Sequence, residues 1–452
     1  MCVLAPRRGR RINPRVPILL AVVIIIGIYW TDSISIFTSF HKDKVNGSPN
    51  LFMGEKQCRR AFSQLMKEID GSVERLDGKK LELKKQNEDI KGMVEGRVKD
   101  GKLFVISAEY HPNRDMLFER QAVLHALHRA LITSPPSEPL PDTVFTFSIL
   151  DSPRTDVWSF ARNNEPQQMR KGNWWVMPHF GHWSWPKRFI GTLDEVRRKV
   201  EVVEREINGW DGKLAKAIWR GTVWFNGVGN NQLRPKLLEA TKDKPWADVQ
   251  NMKWVTNAVD AKNAINIEDF CKYKYIIYTE GVTYSGRLPY HLLCNSVIIT
   301  PPLQFNMHTT HLLRPLISAS LPFSPSFTSN TPPGTNPRWP TAYSAEKANI
   351  VFVEPDWRDL EQTIQYLEAH QDVAKGIAAN QRRTFGGNGG GVLGEAAEVC
   401  YWRQLLRSWA SVVTPKNGTV QAGDRYPDER IWAEGVRWET FSLVSQTRWP
   451  RA

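Results

Sequence analysis

Apolar and polar positions along this chain change period repeatedly, from two residues to between three and four. Residues 103–107, 143–150 and 174–177 read as strands, and residues 116–131 and 193–207 place apolar side chains at helical spacing. A second series follows. Strands are expected at 217–220, 275–279, 297–300 and 350–353, and helices at 233–240, 287–293, 359–370 and 372–384, with a last helix at 393–412. The clearest stretch is CKYKYIIYTEGVTYSGRLPYHLLCNSVIITPP, which begins at Cys271. A β-branched run breaks at Glu280-Gly281, a short amphipathic segment follows, and a second strand-like run ends the block: the form of a parallel crossover unit. Strands alternating with helices give an α/β fold, here two Rossmann-like domains facing a cleft. No internal repeat is visible.

The flanks read differently. Residues 16–30, VPILLAVVIIIGIYW, are uncharged and almost wholly apolar, and Arg7, Arg8, Arg10, Arg11 and Arg15 precede them. A bilayer span needs about 20 residues, so this segment is short and calls for a tilted helix or a thinned bilayer. Bulky residues follow and no small-residue cleavage site is visible, which favours an uncleaved signal anchor over a cleaved signal peptide. The arginines then face the cytosol and the body faces the secretory lumen, a single-pass type II topology. The expected organisation is a basic tail (1–15), transmembrane anchor (16–32), stem (33–100), N-terminal α/β domain (101–212), C-terminal α/β domain (213–412) and C-terminal tail (413–452). Helical fragments are expected in the stem at 59–69 and 76–93. Residues 318–340, rich in Ser, Pro, Thr and Asn, read as a mobile surface loop.

Composition sharpens this picture. Of the net charge of +13, five units lie in the first 50 residues, leaving eight on the body. No basic repeat or nucleic-acid motif is present, so the charge suits a pyrophosphate or an acidic glycan better than nucleic acid. Sequons at Asn46 and Asn417 agree with a lumenal body. Trp449-Pro450-Arg451-Ala452 is no retrieval signal of the K-D-E-L type, so retention in the Golgi or ER would come from the anchor. Cys58, Cys271, Cys294 and Cys400 are four lumenal cysteines, which allow three pairings. No C-x-x-C occurs. His179/His182 and His308/His311 lack a third ligand at useful spacing, so no metal is expected. The glycine run 386–391 lacks a P-loop lysine and a preceding strand and reads as a hinge.

The chemistry concentrates at strand ends. Ser285 and Arg287 sit at the turn and helix start after Glu280-Gly281, where backbone N–H groups and a cation suit an anion. Arg220-Gly221 ends another strand, and Arg234 lies near the start of a further helix. In open α/β sheets ligands sit beyond such carboxyl ends. Asp151 ends the strand run 143–150 in the first domain, a place for a base, although an Asx turn before Ser152-Pro153 explains it equally well. Trp183 and Trp185 alternate with Ser184, so one side is a candidate sugar-stacking face and core packing is the alternative.

E-G-V-x-x-S-x-R-L followed by H-L-L-C-x-S-V-I resembles the nucleotide-sugar half of glycosyltransferase family 90, which holds fungal capsule-associated xylosyltransferases and animal protein O-glucosyltransferases. Trp219-Arg220-Gly221 resembles its W-R-G turn, and Leu140-Pro141-Asp142 with Asp151 and Pro153 its L-P-D…D-x-P segment. Trp183-Ser184-Trp185-Pro186 resembles the fungal W-S-W-P, and Cys400-Tyr401-Trp402 the closing C-Y-W helix. The resemblance implies a GT-B architecture, pairing of Cys271 with Cys294, and Asp151 as catalytic base. Cys58 would then pair with Cys400. Relatives carry an aromatic between Asp and Pro where this chain has Ser152, so acceptor geometry is expected to differ; Asp156 and Asp142 are the fallback bases. No D-x-D motif occurs, which points to arginines rather than a metal cofactor at the diphosphate. The expected function is inverting, metal-independent transfer of xylose or glucose from a UDP-sugar donor to a glycan or glycoprotein hydroxyl. The alternatives are an inactive lumenal glycan-binding protein on this fold and a transferase with another donor.

Overall fold

The computed structural model describes residues 50–83, 92–108, 115–227, 230–256, 260–322, 339, 341–386, 391–415 and 435–444. The anchor segment, both sequons, most of the 318–340 loop and the centre of the glycine run lie outside these residues. Among the described residues no helix is long and apolar enough to cross a membrane.

Two six-stranded sheets carry the structure. In the second, the strands run in the order Pro315–Ile317, Ile350–Phe352, Val297–Thr300, Tyr273–Ile277, Leu214–Gly221, Ala247–Asn251, and every pairing is parallel. Alternate residues of these strands enter two separate cores. Ile218, Ile276, Ile298 and Ile350 pack into one, and Ala217, Tyr275, Ile277, Val297, Ile299 and Val351 into the other. A sheet covered on both faces needs continuous apolar runs, which is why these strands were readable. The helices Leu233–Thr241, Leu360–Ala369 and Gln371–Phe385 fall where the apolar spacing puts them. The helix expected over 287–293 is a single turn, Leu288–His291.

The first sheet is mixed. Its order is Val436–Arg437, Lys102–Ala108, Met93–Lys99, Thr143–Ser148, Trp158–Ser159, Trp175–Val176, antiparallel up to Thr143–Ser148 and parallel beyond it. Two segments expected outside the body belong to it. Met93–Lys99 lay in the expected stem, and Val436–Arg437 in the expected tail. Instead of a helix over 76–93 there is a strand, Leu81–Leu83, which pairs with Val413–Pro415, and then the strand beginning at Met93. In Met93–Lys99 every second residue from Val94 is buried while Glu95, Arg97 and Lys99 are half-exposed. That one-sided burial gave the segment its charged, stem-like look.

The helices Glu55–Ala61 and Lys67–Arg75 also join this core through Met53, Leu65, Met66 and Ile69. Glu68 and Arg162, both buried, form an ion pair (Nη2–Oε2 2.9 Å) that ties the second helix to the short strand Arg162–Asn163, which pairs with Phe305–Asn306. The long helix Glu395–Val412 follows the second sheet in sequence but fills the first core with Tyr401, Trp402 and Trp409. Its Tyr401 and Trp409 side chains donate to the carbonyls of Val176 and Val144, both at 2.8 Å. The disulfide Cys58–Cys400 joins this helix to the chain's early helices, and Cys271–Cys294 closes the crossover unit. Buried Arg403 donates to the carbonyls of Leu51, Met53 and Ala130.

Candidate active site

The loop from Tyr278 to Arg287 leaves the carboxyl end of Tyr273–Ile277 and is held rigidly by its own residues. The Tyr278 hydroxyl donates to the Ser285 carbonyl and accepts from the Ser285 N–H, both at 3.0 Å. The Glu280 carboxylate accepts the N–H groups of Gln304 and Phe305, both at 2.9 Å, so Glu280 braces the neighbouring loop. Gly281 donates to the Thr283 carbonyl (2.9 Å) and closes the turn. The Ser285 hydroxyl has no partner among the described residues.

Gly286 has a steric reason. A Cβ there would lie 2.7 Å from the His179 ring and 2.9 Å from Trp185. His179 is buried among Phe160, Phe180, Trp185 and Tyr284 and has little room to yield. Gly286→Ala is expected to cost about 1–3 kcal/mol, read as a lower thermal midpoint. An unchanged midpoint would show that His179 and Trp185 move freely.

Two guanidinium groups meet beneath this loop. Arg234 donates to Thr279 Oγ1 (3.1 Å), the Thr222 carbonyl (2.7 Å) and the Glu280 carbonyl (2.9 Å). Arg287 donates to the Arg220 carbonyl. All these partners are neutral, and among the described residues no carboxylate forms an ion pair with either group. Burial lowers both pKa values, and the Arg287 charge adds to the shift at Arg234, which falls to about 9. Two desolvated cations that repel each other, with no anion supplied by the fold, form a site that favours a bound anion.

Arg220 does not share this role. Its Nη2 pairs with Asp248 Oδ1 (2.8 Å), and its other donors meet the carbonyls of Asp248, Trp219 and Asn263. Asp248 also accepts from the Tyr273 hydroxyl at 2.6 Å. The Arg220 side chain, expected at the phosphate, is thus engaged by Asp248 within the sheet, and its carbonyl accepts from Arg287. Gly221 is set by packing, since a Cβ there would stand 2.4 Å from the Trp219 ring.

Asp151 approaches from the other sheet. The hydroxyl of Thr283, within the Arg287 loop, donates to the Asp151 carbonyl at 3.0 Å. The Asp151 carboxylate accepts no hydrogen bond among the described residues. The residue is exposed to solvent, yet protein packed around the carboxylate desolvates it and raises its pKa above the usual carboxylate value. Buried Tyr284 lies close enough for the Asp151 charge to push its phenol pKa further up. The fallback carboxylates are both engaged. Asp142 accepts from the Asp100 N–H (2.8 Å), and Asp156, in a left-handed turn at φ 61°, accepts from the Asn173 amide (3.1 Å).

The two tryptophans separate. Trp183 stacks on His125 at 4.5 Å and lies under the Arg129 guanidinium at 4.9 Å, away from the loop. Trp185 packs on His179, Phe180 and Tyr290 below Gly286. They form no shared stacking face. Among the described residues no three His, Cys, Asp or Glu side chains gather in a way that could hold a metal. Thr279, Thr283 and Tyr284 carry no signal in the sequence, because each meets a partner distant in the chain, and His179, weighed there only as half of a metal pair, packs under Gly286.

Comparison with known proteins identifies relatives of this chain. The O-glucosyltransferase rumi homolog of Aedes aegypti is 26% identical over 210 residues, covering 45% of this chain and 43% of that protein. Protein O-glucosyltransferase 1 of Homo sapiens is 21% identical over 297 residues, covering 61% of this chain and 64% of its own length. O-glucosyltransferase rumi of Drosophila melanogaster is 28% identical over 148 residues, 31% of this chain and 35% of that protein. In each case the chain spans less than two thirds of the relative. The model of glycosyl transferase family 90 matches residues 54–326, from the first helix through both sheets' loops and both sides of the site, and the chain belongs to that family.

Proposed function

We propose that this protein transfers a sugar from a UDP-sugar to a hydroxyl of a glycan or glycoprotein, with inversion and without a metal. One observation carries the reading: the loop that holds half-buried Arg287 beside buried Arg234, neither paired with a carboxylate among the described residues, is bonded through Thr283 to Asp151, whose carboxylate is unengaged among those residues. Arg234 and Arg287 bind the diphosphate, and the Ser285 hydroxyl and loop N–H groups add donors. Asp151 takes the proton from the acceptor hydroxyl, whose oxygen attacks the anomeric carbon. The C–O bond to UDP breaks, its electron pair passes to the diphosphate, and the fixed cations neutralise the growing charge. Asp151 then returns its proton to water.

In this reading the two sheets belong to a GT-B pair of domains, the first presenting acceptor and base and the second the donor. The relatives' names speak for glucose as the sugar and for protein as the acceptor; the W-S-W-P element tilts the donor toward xylose. The body works in the Golgi or ER lumen, anchored by residues 16–32.

A donor screen on the purified full chain, reading UDP release and product linkage, tests this. UDP-xylose or UDP-glucose should be consumed, and the product of an α-linked donor should be β-linked. EDTA should leave most of the transfer. Loss of activity on chelation with recovery on Mn²⁺ would overturn the arginine-based mechanism, and a retained α-linkage would reject inversion.

A further inference from the structure

A second cavity begins two residues beyond Asp151. It has a volume of about 390 Å³ and is lined by Pro153, Arg154, Thr155, Val157 and Trp174. That volume falls within the roughly 300–1,000 Å³ of small-molecule sites. Its walls are preorganised. The Arg154 N–H donates to Ser159 Oγ (3.0 Å), and Asp156 exchanges two hydrogen bonds with Asn173, one through its backbone N–H (2.9 Å) and one through its carboxylate (3.1 Å). Thr155 lies so close over Gly172 that a Cβ there would come within 2.2 Å of it. The Trp174 indole N–H donates to the Gln168 carbonyl (3.2 Å), which fixes the ring.

The charge of Arg154 is left over. Its Nε is buried without a hydrogen-bond partner, and among the described residues no carboxylate forms an ion pair with its guanidinium. The rest of the wall is mostly polar where it meets solvent, as a sugar's hydroxyls require: Thr155 adds a hydroxyl, Pro153 is half-buried, and Val157 and Trp174 are buried beneath. A planar guanidinium matches a carboxylate in bidentate fashion.

We propose that this cavity is an acceptor subsite for a uronic acid residue, whose carboxylate pairs with Arg154 while the neighbouring acceptor hydroxyl is presented to Asp151. The assignment rests on the transferase reading and names its acceptor class. Specificity and chemistry would then share one short segment: Asp151 removes the proton, and Arg154, three residues on, selects the glycan that supplies it.

The test uses the full chain with a uronosyl oligosaccharide and its carboxyl-reduced counterpart, which differ only in CO₂⁻ versus CH₂OH. Binding of methyl glucuronide and methyl glucoside is measured alongside by calorimetry, without donor. The uronosyl acceptor should have a KM roughly tenfold lower than the reduced one, the scale of one charge-assisted contact. Arg154→Gln should bring that ratio close to one, and methyl glucuronide should lose its advantage over the glucoside. Equal KM values in the wild type, or a ratio that survives in Arg154→Gln, would overturn the proposal. So would an acidic peptide acceptor that shows the same dependence on Arg154, because the site would then read protein. UDP release without acceptor separates the two levels. If it is present and the carboxylate preference is absent, only the subsite falls; if no donor is consumed under any condition, the transferase reading falls and takes the subsite with it.

Discussion

Arg287→Met is expected to cut sugar transfer at least about a hundredfold while leaving the protein folded. The fold half-buries Arg287, its side chain meets only the Arg220 carbonyl among the described residues, and desolvation already pulls its pKa down. A buried charge without a counter-ion is a cost to the empty protein, which the bound diphosphate removes. Methionine keeps most of the volume and loses the charge. Losing one fixed donor to developing charge costs roughly 2–4 kcal/mol of barrier, and each 1.36 kcal/mol is about tenfold in rate. The thermal midpoint of the ligand-free variant should be no lower than that of the wild type. Stabilisation by UDP should shrink, since it scales with affinity for the folded state. A folded variant that transfers sugar at the normal rate would remove Arg287 from the site.

Asp151→Asn should lower transfer by roughly 10²–10⁴ and barely change UDP binding measured by calorimetry, because Asp151 lies on the sheet opposite the arginines. The pH profile gives a second readout. A base must be deprotonated to act, and desolvation raises the Asp151 pKa. Wild-type activity should therefore rise through an acid limb placed above the range of an ordinary carboxylate, and the Asn variant should lack that limb. Normal transfer by Asp151→Asn would place the base elsewhere. Asp142 and Asp156 would be poor substitutes, since both carboxylates are bound within turns.

The parallel sheet was legible because its strands are buried on both faces, so Val297–Thr300 and Tyr273–Ile277 carry unbroken apolar runs. Ala247–Asn251 was not, because this edge strand is only partly buried and reads Ala-Asp-Val-Gln-Asn. That missed strand hides the ion-pair partner of Arg220. Its counter-ion, Asp248, lies on the unseen strand, in register beside Ile218. The helix Glu395–Val412 was legible as a helix, but not its choice of sheet, which depends on Cys58 and on carbonyls near residue 50. Arg287 drew notice because it stands in one contiguous motif, residues 280–288, although its partner carbonyl, Arg220, lies 67 positions away. The bond from Thr283 to Asp151 crosses 132 positions and leaves no local mark.

Cys58 and Cys400 are 342 positions apart, and between them lies nearly the whole body. The first core also takes Arg403 onto the Leu51 and Met53 carbonyls, Val413–Pro415 onto Leu81–Leu83, and Val436–Arg437 onto the edge of its sheet. Segments between residues 51 and 105 are thus covered by residues made more than 300 positions later. At ~5–20 residues per second of synthesis, residues 51–83 wait on the order of tens of seconds for their partner helix. During that interval Cys58 is a free thiol with Cys271 and Cys294 emerging before its true partner. The second sheet can close its own 23-residue loop on time. The first cannot close until the helix Glu395–Val412 has been made, so the half that carries Asp151 is completed after the strands of the second sheet.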